Sequence, residues 1–279
     1  GALRHVPGAK SPPRVTGCDF AGVIAALGAG VSTWREGDRV FGMLSPLGRE
    51  GSCAERCTVR ADRIAAIPDG VSFEDAACLP VAAGEAVQAL ADEAEIAAGQ
   101  RVLIVGAAGG VGHFAVQFAR HAGAHVTGVC GTGNLDFVKR DLGADEVIDY
   151  RATDLLTLGK RFEVVFDVAG ALDWRTASRH LLVRGGLYLA TGGTTSSAIA
   201  TGVGRWIAPW LAGTRARNVM LAVNPVALQR LSDLVAQGVL MPQVQRHIGL
   251  DEVAQAQAVM RQGHARGKVV VLPVLELTR

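Results

Sequence analysis

A glycine-rich turn between an apolar strand and an amphipathic helix is the feature that most constrains how this chain folds. The turn reads Val105-Gly-Ala-Ala-Gly-Gly-Val-Gly112. It follows the continuous apolar segment Gln100–Gly106, and it opens the segment Gly110–His121, whose apolar residues recur at helical spacing. A strand, a glycine turn and a helix in this order are typical of dinucleotide-binding units. The sequence therefore predicts a pyrophosphate site at the start of the helix.

The glycines of this turn have separate predicted roles. In a G-x-G-x-x-G reading, Ala107 takes the first position, Gly109 the second and Gly112 the third. Gly109 lets the backbone approach a pyrophosphate, and Gly112 lets the helix pack close to the strand. The helix N-terminus adds free N–H groups and the positive end of its dipole. A glycine turn without a ligand is the alternative, and the surrounding pattern disfavours it.

Strands and helices alternate on both sides of the turn. A helix is predicted at Val81–Leu90, before the turn. The strands predicted after it are His125–Cys130, Glu146–Ile148, Glu163–Val168, Leu187–Ala190 and Arg217–Val223, with helices Leu135–Leu142 and Ala171–Val183 between them. This rhythm predicts an α/β fold with a doubly wound parallel sheet.

Both ends of the chain have a different character. To about residue 83, short apolar segments separated by Gly and Pro predict a small antiparallel β domain. Its candidate strands are Gly22–Leu27, Gly37–Gly42, Cys57–Arg60 and Arg63–Ile67. After residue 223 come a helix Asn224–Ala236 with an Asn cap and an early Pro, a strand Val244–Ile248, a helix Asp251–Arg261 and a strand Lys268–Leu272.

Composition excludes several classes of protein. The 28 Lys and Arg against 26 Asp and Glu give a net charge of +2, which is too balanced for a nucleic-acid-binding protein. The chain has five cysteines, an odd number, and no two of them form a C-x-x-C pair. Both observations argue against a disulfide framework or a Cys-rich zinc site. No run of about 18 apolar residues is free of charges and glycines, so no membrane span is expected. We expect a cytoplasmic protein with a small-molecule substrate.

The residues after the second strand of the predicted sheet bear on which nucleotide binds. An NAD site usually carries an acid there to hold the ribose hydroxyls. Here no carboxylate follows Cys130 before Asp136, which favours NADPH, unless the acid is displaced. The missing acid also counts against an S-adenosylmethionine methyltransferase. A short-chain dehydrogenase needs Tyr-x-x-x-Lys, and neither tyrosine is followed by a lysine at that spacing.

Six motifs spread over nearly the whole chain carry a family resemblance. They are Gly17-Cys-Asp-Phe-Ala-Gly22, Gly37–Gly42, Ala107–Gly112, Leu142–Tyr150, Phe166–Gly170 and Gly263–Val270. With them, the chain resembles the medium-chain dehydrogenase/reductase superfamily, in particular its zinc-independent quinone oxidoreductase branch. The resemblance implies a Rossmann domain over 84–223 and a GroES-like β domain formed by 1–83 with 224–279, the latter partial because relatives begin several dozen residues earlier. It also implies a cofactor in the cleft between the domains and a homodimer.

Carried over by motif, the resemblance implies three groups of cofactor-binding residues. The pyrophosphate group is Ala108, Gly109, Gly110 and Val111; the adenosine ribose group is Cys130, Gly131, Thr132, Asn134 and Tyr150; the nicotinamide group is Val168, Ala169, Gly170, Gly192 and Gly193. Arg266 and Lys268 lie where the family's tail crosses the cofactor.

Three positions depart from patterns of the family or invite a catalytic reading. The zinc-dependent branch has Gly-His-Glu where this chain has Gly17-Cys18-Asp19; the later ligand position, within 79–83, is apolar, so no metal is expected. Relatives often have Leu-Thr-Ala where this chain has Gly84-Glu85-Ala86. We interpret Glu85 as a solvated helix residue, with a polar site group as the alternative. His113 is expected on the helix surface near phosphate rather than as a base.

The predicted function is that of an NADPH-dependent reductase without metal. Hydride would pass to a quinone or to the β-carbon of an α,β-unsaturated carbonyl, because without zinc a simple carbonyl is poorly polarised. No side chain stands out as the proton donor. The alternatives are an enoyl-thioester reductase and a non-catalytic NADPH-binding module.

Overall fold

Three sheets organise the chain in this computed structural model, which describes residues 15–46, 50–191, 213–260 and 265–273. The first is antiparallel and contains β1 (Asp19–Val23), β2 (Arg39–Met43) and β3 (Ile64–Ala66). A Cβ atom on Gly42 would lie 2.9 Å from Cγ2 of Ile64, so the glycine allows the close approach of β3. The predicted small antiparallel sheet is therefore confirmed.

Two of its predicted strands were misplaced. Of the segment Gly22–Leu27, only the first two residues belong to β1, because Ile24 already leads into a loop that closes through its hydrogen bonds with Gly37 and Asp38. The segment Cys57–Arg60 is not a strand; it is largely exposed, and β3 occupies the position beside β2.

A helical segment links this sheet to the next. It consists of α1 (Phe73–Ala77), a π-helical turn Leu79–Ala83, α2 (Gly84–Val87) and a second π-helical turn Gln88–Glu93. Ser72 caps its start by accepting a hydrogen bond from the Asp75 amide at 3.0 Å. The helix predicted at Val81–Leu90 lies within this segment.

The large sheet has six parallel strands in the order β6-β5-β4-β7-β8-β9. They are β4 (Arg101–Val105), β5 (His125–Cys130), β6 (Glu146–Asp149), β7 (Phe162–Asp167), β8 (Leu182–Thr191) and β9 (Arg215–Val219). Because β4 pairs with both β5 and β7, the direction of winding reverses at β4, and ligands of such sheets bind at the carboxyl ends of the strands at this point. The doubly wound sheet is confirmed.

The helices of this sheet differ from the prediction mainly in length. Helix α3 (Gly112–His121) follows β4, and α4 (Trp174–His180) precedes β8. Helix α4 is shorter than the predicted Ala171–Val183 because Asp173 caps it, accepting hydrogen bonds from the amides of Arg175 and Thr176, and Leu182 already belongs to β8. Strand β9 is also placed earlier than predicted.

The C-terminal part returns to the first sheet. Helix α5 (Pro225–Ala236) starts at Asn224, whose side chain accepts a hydrogen bond from the Ala227 amide at 2.8 Å, as the sequence predicted. The Ser232 hydroxyl of α5 donates to the Ala66 carbonyl of β3. Strand β10 (Val244–Ile248), helix α6 (Val253–Met260) and strand β11 (Lys268–Val271) follow, and β10 and β11 form a parallel pair. None of the helices in the described ranges has the length and apolar character of a membrane span.

Candidate functional site

The glycine turn closes tightly over the carboxyl end of β4. The amides of Gly106 and Ala107 both donate to the carbonyl of Val129, at 3.0 and 2.9 Å, and the Gly109 amide donates to the Gly106 carbonyl at 3.0 Å. Gly106 has φ +87°, a conformation that side-chain-bearing residues rarely adopt. These bonds place the start of α3 beside the end of β5.

The space around Gly112 differs from that around Gly109, and the difference bears on their predicted roles. A Cβ atom on Gly112 would overlap the Gly106 carbonyl oxygen and lie 2.8 Å from Cα of Ala107. A Cβ atom on Gly109 would meet only the Gly106 oxygen, at 3.4 Å. The former glycine is therefore needed for packing, whereas a side chain on the latter would extend into open space. Within the described ranges, the amides of Gly110 and Val111 have no hydrogen-bond partner, which suits an anion at the N-terminus of α3.

The residues predicted to surround the adenosine ribose lie together at the ends of β5 and β6. The Tyr150 amide donates to the Cys130 carbonyl at 3.2 Å. The edge of the Tyr150 ring lies 3.4 Å from the position of a Cβ atom on Gly131. Thr132 and Asn134 form the 3₁₀ turn that follows, closed by a hydrogen bond from the Asn134 amide to the Gly131 carbonyl at 2.9 Å. These residues form one wall, with the Tyr150 side chain exposed.

Asp149 is a functional candidate that the sequence reasoning missed. Its carboxylate accepts a hydrogen bond from the Thr132 hydroxyl at 2.6 Å and one from the Arg151 amide at 2.9 Å. The bond from Thr132 holds the pKa of Asp149 below its usual value. The sequence reasoning considered an acid only at the end of β5, whereas this carboxylate comes from the end of β6, the neighbouring strand. The parallel order of the two strands is the signal that predicts this proximity.

Residues after β7 form the opposite wall. The Val168 amide donates to the Val105 carbonyl at 3.0 Å, and Cβ of Ala169 lies 3.2 Å from the position of a Cβ atom on Gly106. Gly170 has φ +65° and open space around it. The loop is held by buried Asp167, which accepts hydrogen bonds from the amides of residues 171 and 172 and from the hydroxyl of Tyr188. Gly192 and Gly193 lie outside the described residues.

Lys268 connects the glycine turn with the antiparallel sheet. Its Cδ lies 3.5 Å from the position of a Cβ atom on Gly110, and its Nζ lies 3.5 Å from Oδ2 of Asp19. Both side chains are mostly buried, with 22% and 17% exposed. The preceding residue, Gly267, donates its amide to the Ala108 carbonyl at 2.8 Å. The strand β11 is thus attached to the turn by its backbone and by Lys268.

The Arg266 side chain contacts the helical segment after β5 instead of the glycine turn. Its guanidinium pairs with Asp141 at 3.0 Å and lies 4.1 Å from the ring centroid of Phe137, in the helical segment that follows β5. Of the two tail residues singled out in the sequence, Lys268 alone contacts the glycine turn.

The expectation that His113 lies on the helix surface was wrong. Its side chain is fully buried, with Nδ1 3.0 Å from the Gly109 carbonyl oxygen and Nε2 accepting a hydrogen bond from the Gln243 amide at 3.3 Å. Burial lowers its pKa to about 4, so the ring is neutral at physiological pH and donates from Nδ1. His113 therefore fixes the glycine turn against the segment before β10.

Glu85 is half-buried, not solvated as interpreted from the sequence. Burial, followed by the charge of Asp19, raises the pKa of its carboxyl, whereas Lys268 lowers it. The electrostatic interactions of Glu85 with Asp19 and Lys268 favour the alternative interpretation, in which Glu85 is a polar group of the site.

The side chains near Asp19 do not provide the ligands that a catalytic zinc ion requires. A zinc site requires three protein ligands, and no group of three His, Cys, Asp or Glu side chains that could hold a metal occurs in the described part of the chain. Residues 79–83 provide only a backbone group here, the Val81 amide, which donates to Oδ1 of Asp19 at 3.1 Å. Burial raises the pKa of the nearby Cys18 thiol, which favours its protonated form.

Comparison with known proteins identifies the family. The protein-family model described as "Alcohol dehydrogenase GroES-like domain" matches residues 2–69. The family model described as "Zinc-binding dehydrogenase" matches residues 142–271. The quinone-oxidoreductase homolog of Spinacia oleracea chloroplasts is 34% identical over 98% of this chain and 84% of its own length. The chain belongs to the medium-chain dehydrogenase/reductase superfamily.

Other members of this superfamily agree in sequence and fold. An NADPH-dependent alkenal/one oxidoreductase of Arabidopsis thaliana chloroplasts is 31% identical over 94% of this chain and 64% of its own length. The crystal structure of Escherichia coli quinone oxidoreductase complexed with NADPH superposes with a TM-score of 0.79 at 26% identity, covering 95% of this chain and 85% of that one. The chain is thus a quinone oxidoreductase-like member of the superfamily, with a Rossmann sheet and a GroES-like part.

Proposed function

We propose that this protein is a zinc-independent, NADPH-dependent oxidoreductase that reduces quinones or the activated double bond of α,β-unsaturated carbonyl compounds. The observation that carries the proposal is the glycine turn at the carboxyl end of β4, with the unpaired amides of Gly110 and Val111 at the start of α3. Relatives named for quinone and for alkenal/one reduction support the substrate class.

The residues around the turn fit a nicotinamide dinucleotide. Residues 108–111 and Lys268 would hold the pyrophosphate, and the wall of residues 130–134 with Tyr150 would hold the adenosine ribose. Residues 168–170, together with Gly192 and Gly193, would line the nicotinamide half. When bound, the cofactor supplies a hydride, whereas the chain supplies orientation and electrostatics.

The preference for NADPH rests on the ribose wall. No carboxylate occurs among residues 130–134, and hydrogen bonds from the Thr132 hydroxyl and the Arg151 amide hold the carboxylate of Asp149 in place. The Arg151 guanidinium lies 5.8 Å from the ring centroid of Tyr150 and brings a positive charge to the same wall. These features favour a 2′-phosphate over a hydroxyl.

We infer the substrate class from the lack of zinc ligands among the residues near Asp19. Because the residues beside Asp19 do not fit zinc, a simple carbonyl would lack a Lewis acid to polarise it. A quinone or an enone accepts hydride without that help, since the negative charge is delocalised over a conjugated system. Elemental analysis of protein purified without chelators checks the metal prediction, and near-stoichiometric zinc would contradict it.

A substrate panel read at the NADPH absorbance tests the function. We expect steady NADPH oxidation with quinones or enones, and slower oxidation with enoyl thioesters and with simple ketones. Faster turnover of enoyl thioesters would favour the enoyl-thioester reductase instead. NADPH binding without turnover of any of these substrates would favour a non-catalytic module.

The remaining assignments are also proposals. We assign 84–223 to the Rossmann domain and 1–83 with 224–279 to the GroES-like domain, supported by the contact of Ser232 with β3. We further propose a homodimer that pairs through β9, an edge strand of the large sheet. A monomer in sedimentation at micromolar concentration would contradict it. The cytoplasmic location stays a prediction.

A further inference from the structure

Three charged side chains from separate elements interact beside the glycine turn. Asp19 lies on β1, Glu85 on α2 and Lys268 on β11. Lys268 is 3.5 Å from Asp19, and the Val81 amide, which belongs to the same helical segment as Glu85, donates to Asp19. Glu85 interacts electrostatically with both charged groups. Among the described residues, Glu85 has no hydrogen-bond partner, although it is half-buried. Two carboxyl groups therefore depend on one ammonium group.

The charges of this cluster do not balance when both carboxyls are ionised. Among the described residues, the other titratable groups that interact electrostatically with Asp19 or Lys268 are Cys18, Cys78 and His113. Burial raises the pKa of both thiols, that of Cys78 to about 12, and it lowers the pKa of His113 to about 4. All three are therefore neutral near pH 7, and the excess negative charge falls on Asp19 and Glu85. Burial is the main factor that raises the pKa of each.

The cluster is coupled to the cofactor loop through Lys268. The stem of this lysine lies along Gly110, and the adjacent Gly267 is bonded to the Ala108 carbonyl. An anion at the amides of residues 110 and 111 would attract the same ammonium group that now pairs with Asp19. It would also add negative charge near both carboxyl groups. Each effect makes proton binding by the carboxyl groups more favourable.

We propose that cofactor binding draws one proton onto the carboxyl pair Asp19 and Glu85, with Glu85 holding it, because Asp19 keeps the Val81 amide as a hydrogen-bond donor and Glu85 has none among the described residues. The inference rests on the proposed cofactor, and it assigns a role to a residue at which this chain departs from the family pattern. Reduction of a quinone or an enone consumes a proton together with the hydride. Glu85 on α2 would thus hold a proton close to the cofactor loop.

Isothermal titration calorimetry with NADPH tests the proposal. Titrations at one pH in buffers of different ionisation enthalpy give the number of protons taken up. We expect net uptake by the parent protein, and a large loss of that uptake in Glu85→Gln and in Glu85→Thr, the latter restoring the residue type of the relatives. The control is Glu146→Gln, which removes a carboxylate at the amino end of β6, paired with Lys160, and should leave proton uptake unchanged.

The pH dependence of affinity provides a second readout. Because bound cofactor favours the protonated pair, affinity for NADPH should fall as pH rises, by up to about tenfold per pH unit where one proton is linked. The Glu85 variants should flatten this dependence. The 2′-phosphate of NADPH also titrates, but it contributes equally to the pH dependence of the parent and of the variants. The difference in pH dependence between them is therefore due to Glu85.

The outcomes separate this inference from the proposed function. Binding without proton uptake by the parent, or equal uptake by the parent and both folded Glu85 variants, would overturn the inference and leave the cofactor assignment intact. Absence of NADPH binding by the folded parent would overturn the proposed function itself. Circular dichroism checks the folding of each variant, and the parent measurement alone decides whether uptake occurs.

Discussion

The glycine turn and the charged cluster beside it are built on different principles. At the glycine turn, backbone groups of consecutive segments create the site: the ends of β4 and β5 and the start of α3 are joined by main-chain hydrogen bonds. At the cluster of Asp19, Glu85 and Lys268, charged side chains from distant parts of the sequence meet. The first kind of site is specified by short motifs and steric limits. The second depends on tertiary contacts between residues far apart in the sequence.

The largest effect is expected from a steric change at the turn. Gly112→Ala places a methyl group against the Gly106 carbonyl and Ala107, so the free energy of unfolding should fall by about 3 kcal/mol. Urea denaturation measures this. The matched control is Gly133→Ala, because a Cβ atom on Gly133 meets nothing within 4 Å. Equal stability of the two variants would show that the turn relaxes easily.

A pH effect of similar size is expected from His113. Its pKa of about 4 in the folded protein lies below the usual 6.5, so the unfolded chain binds the additional proton between these values. Stability should therefore decrease as pH falls through this window, by up to roughly 3 kcal/mol for such a shift. Urea denaturation at pH 7 and pH 5 checks this. In His113→Gln the same fall in pH should cost less stability; an equal loss in parent and variant would assign it to other groups.

A smaller effect on stability, and a larger one on binding, is expected at Gly109. Because a side chain there extends into open space, Gly109→Val should remain folded while NADPH binding weakens at least tenfold, about 1.4 kcal/mol. Fluorescence titration measures the affinity. Tight binding by the folded variant would show that the cofactor does not lie on this turn and would remove the main support for the proposed function.

The smallest effects concern the choice of cofactor. NADPH should bind at least tenfold better than NADH, about 1.4 kcal/mol. Asn134→Ala should weaken NADPH binding modestly and leave NADH binding nearly unchanged, since we place this side chain beside the 2′-phosphate only. Paired titrations decide the point, and equal affinity of the parent for both cofactors would contradict the interpretation of the ribose wall.

Local and long-range features differed in how well the sequence predicted them. The glycine turn and the Asn224 cap were predictable because each depends on a few adjacent residues. The burial of His113 was not, because its partner Gln243 is 130 positions away. Asp149 was missed because its carboxylate bonds to Thr132, which follows the neighbouring strand. The segment Cys57–Arg60 has a β-like composition but pairs with no strand in the described part of the chain.

The attachment of β11 to the turn has a consequence for how the molecule matures. Gly267 and Lys268, which contact the turn, follow all six strands of the large sheet in the sequence, so ribosomes synthesise them after that sheet. The nascent Rossmann sheet can form its glycine turn early, but the turn lacks these contacts until the start of β11 emerges. We would therefore expect retention of the cofactor only in chains whose synthesis has passed residue 268, and not in earlier folding intermediates.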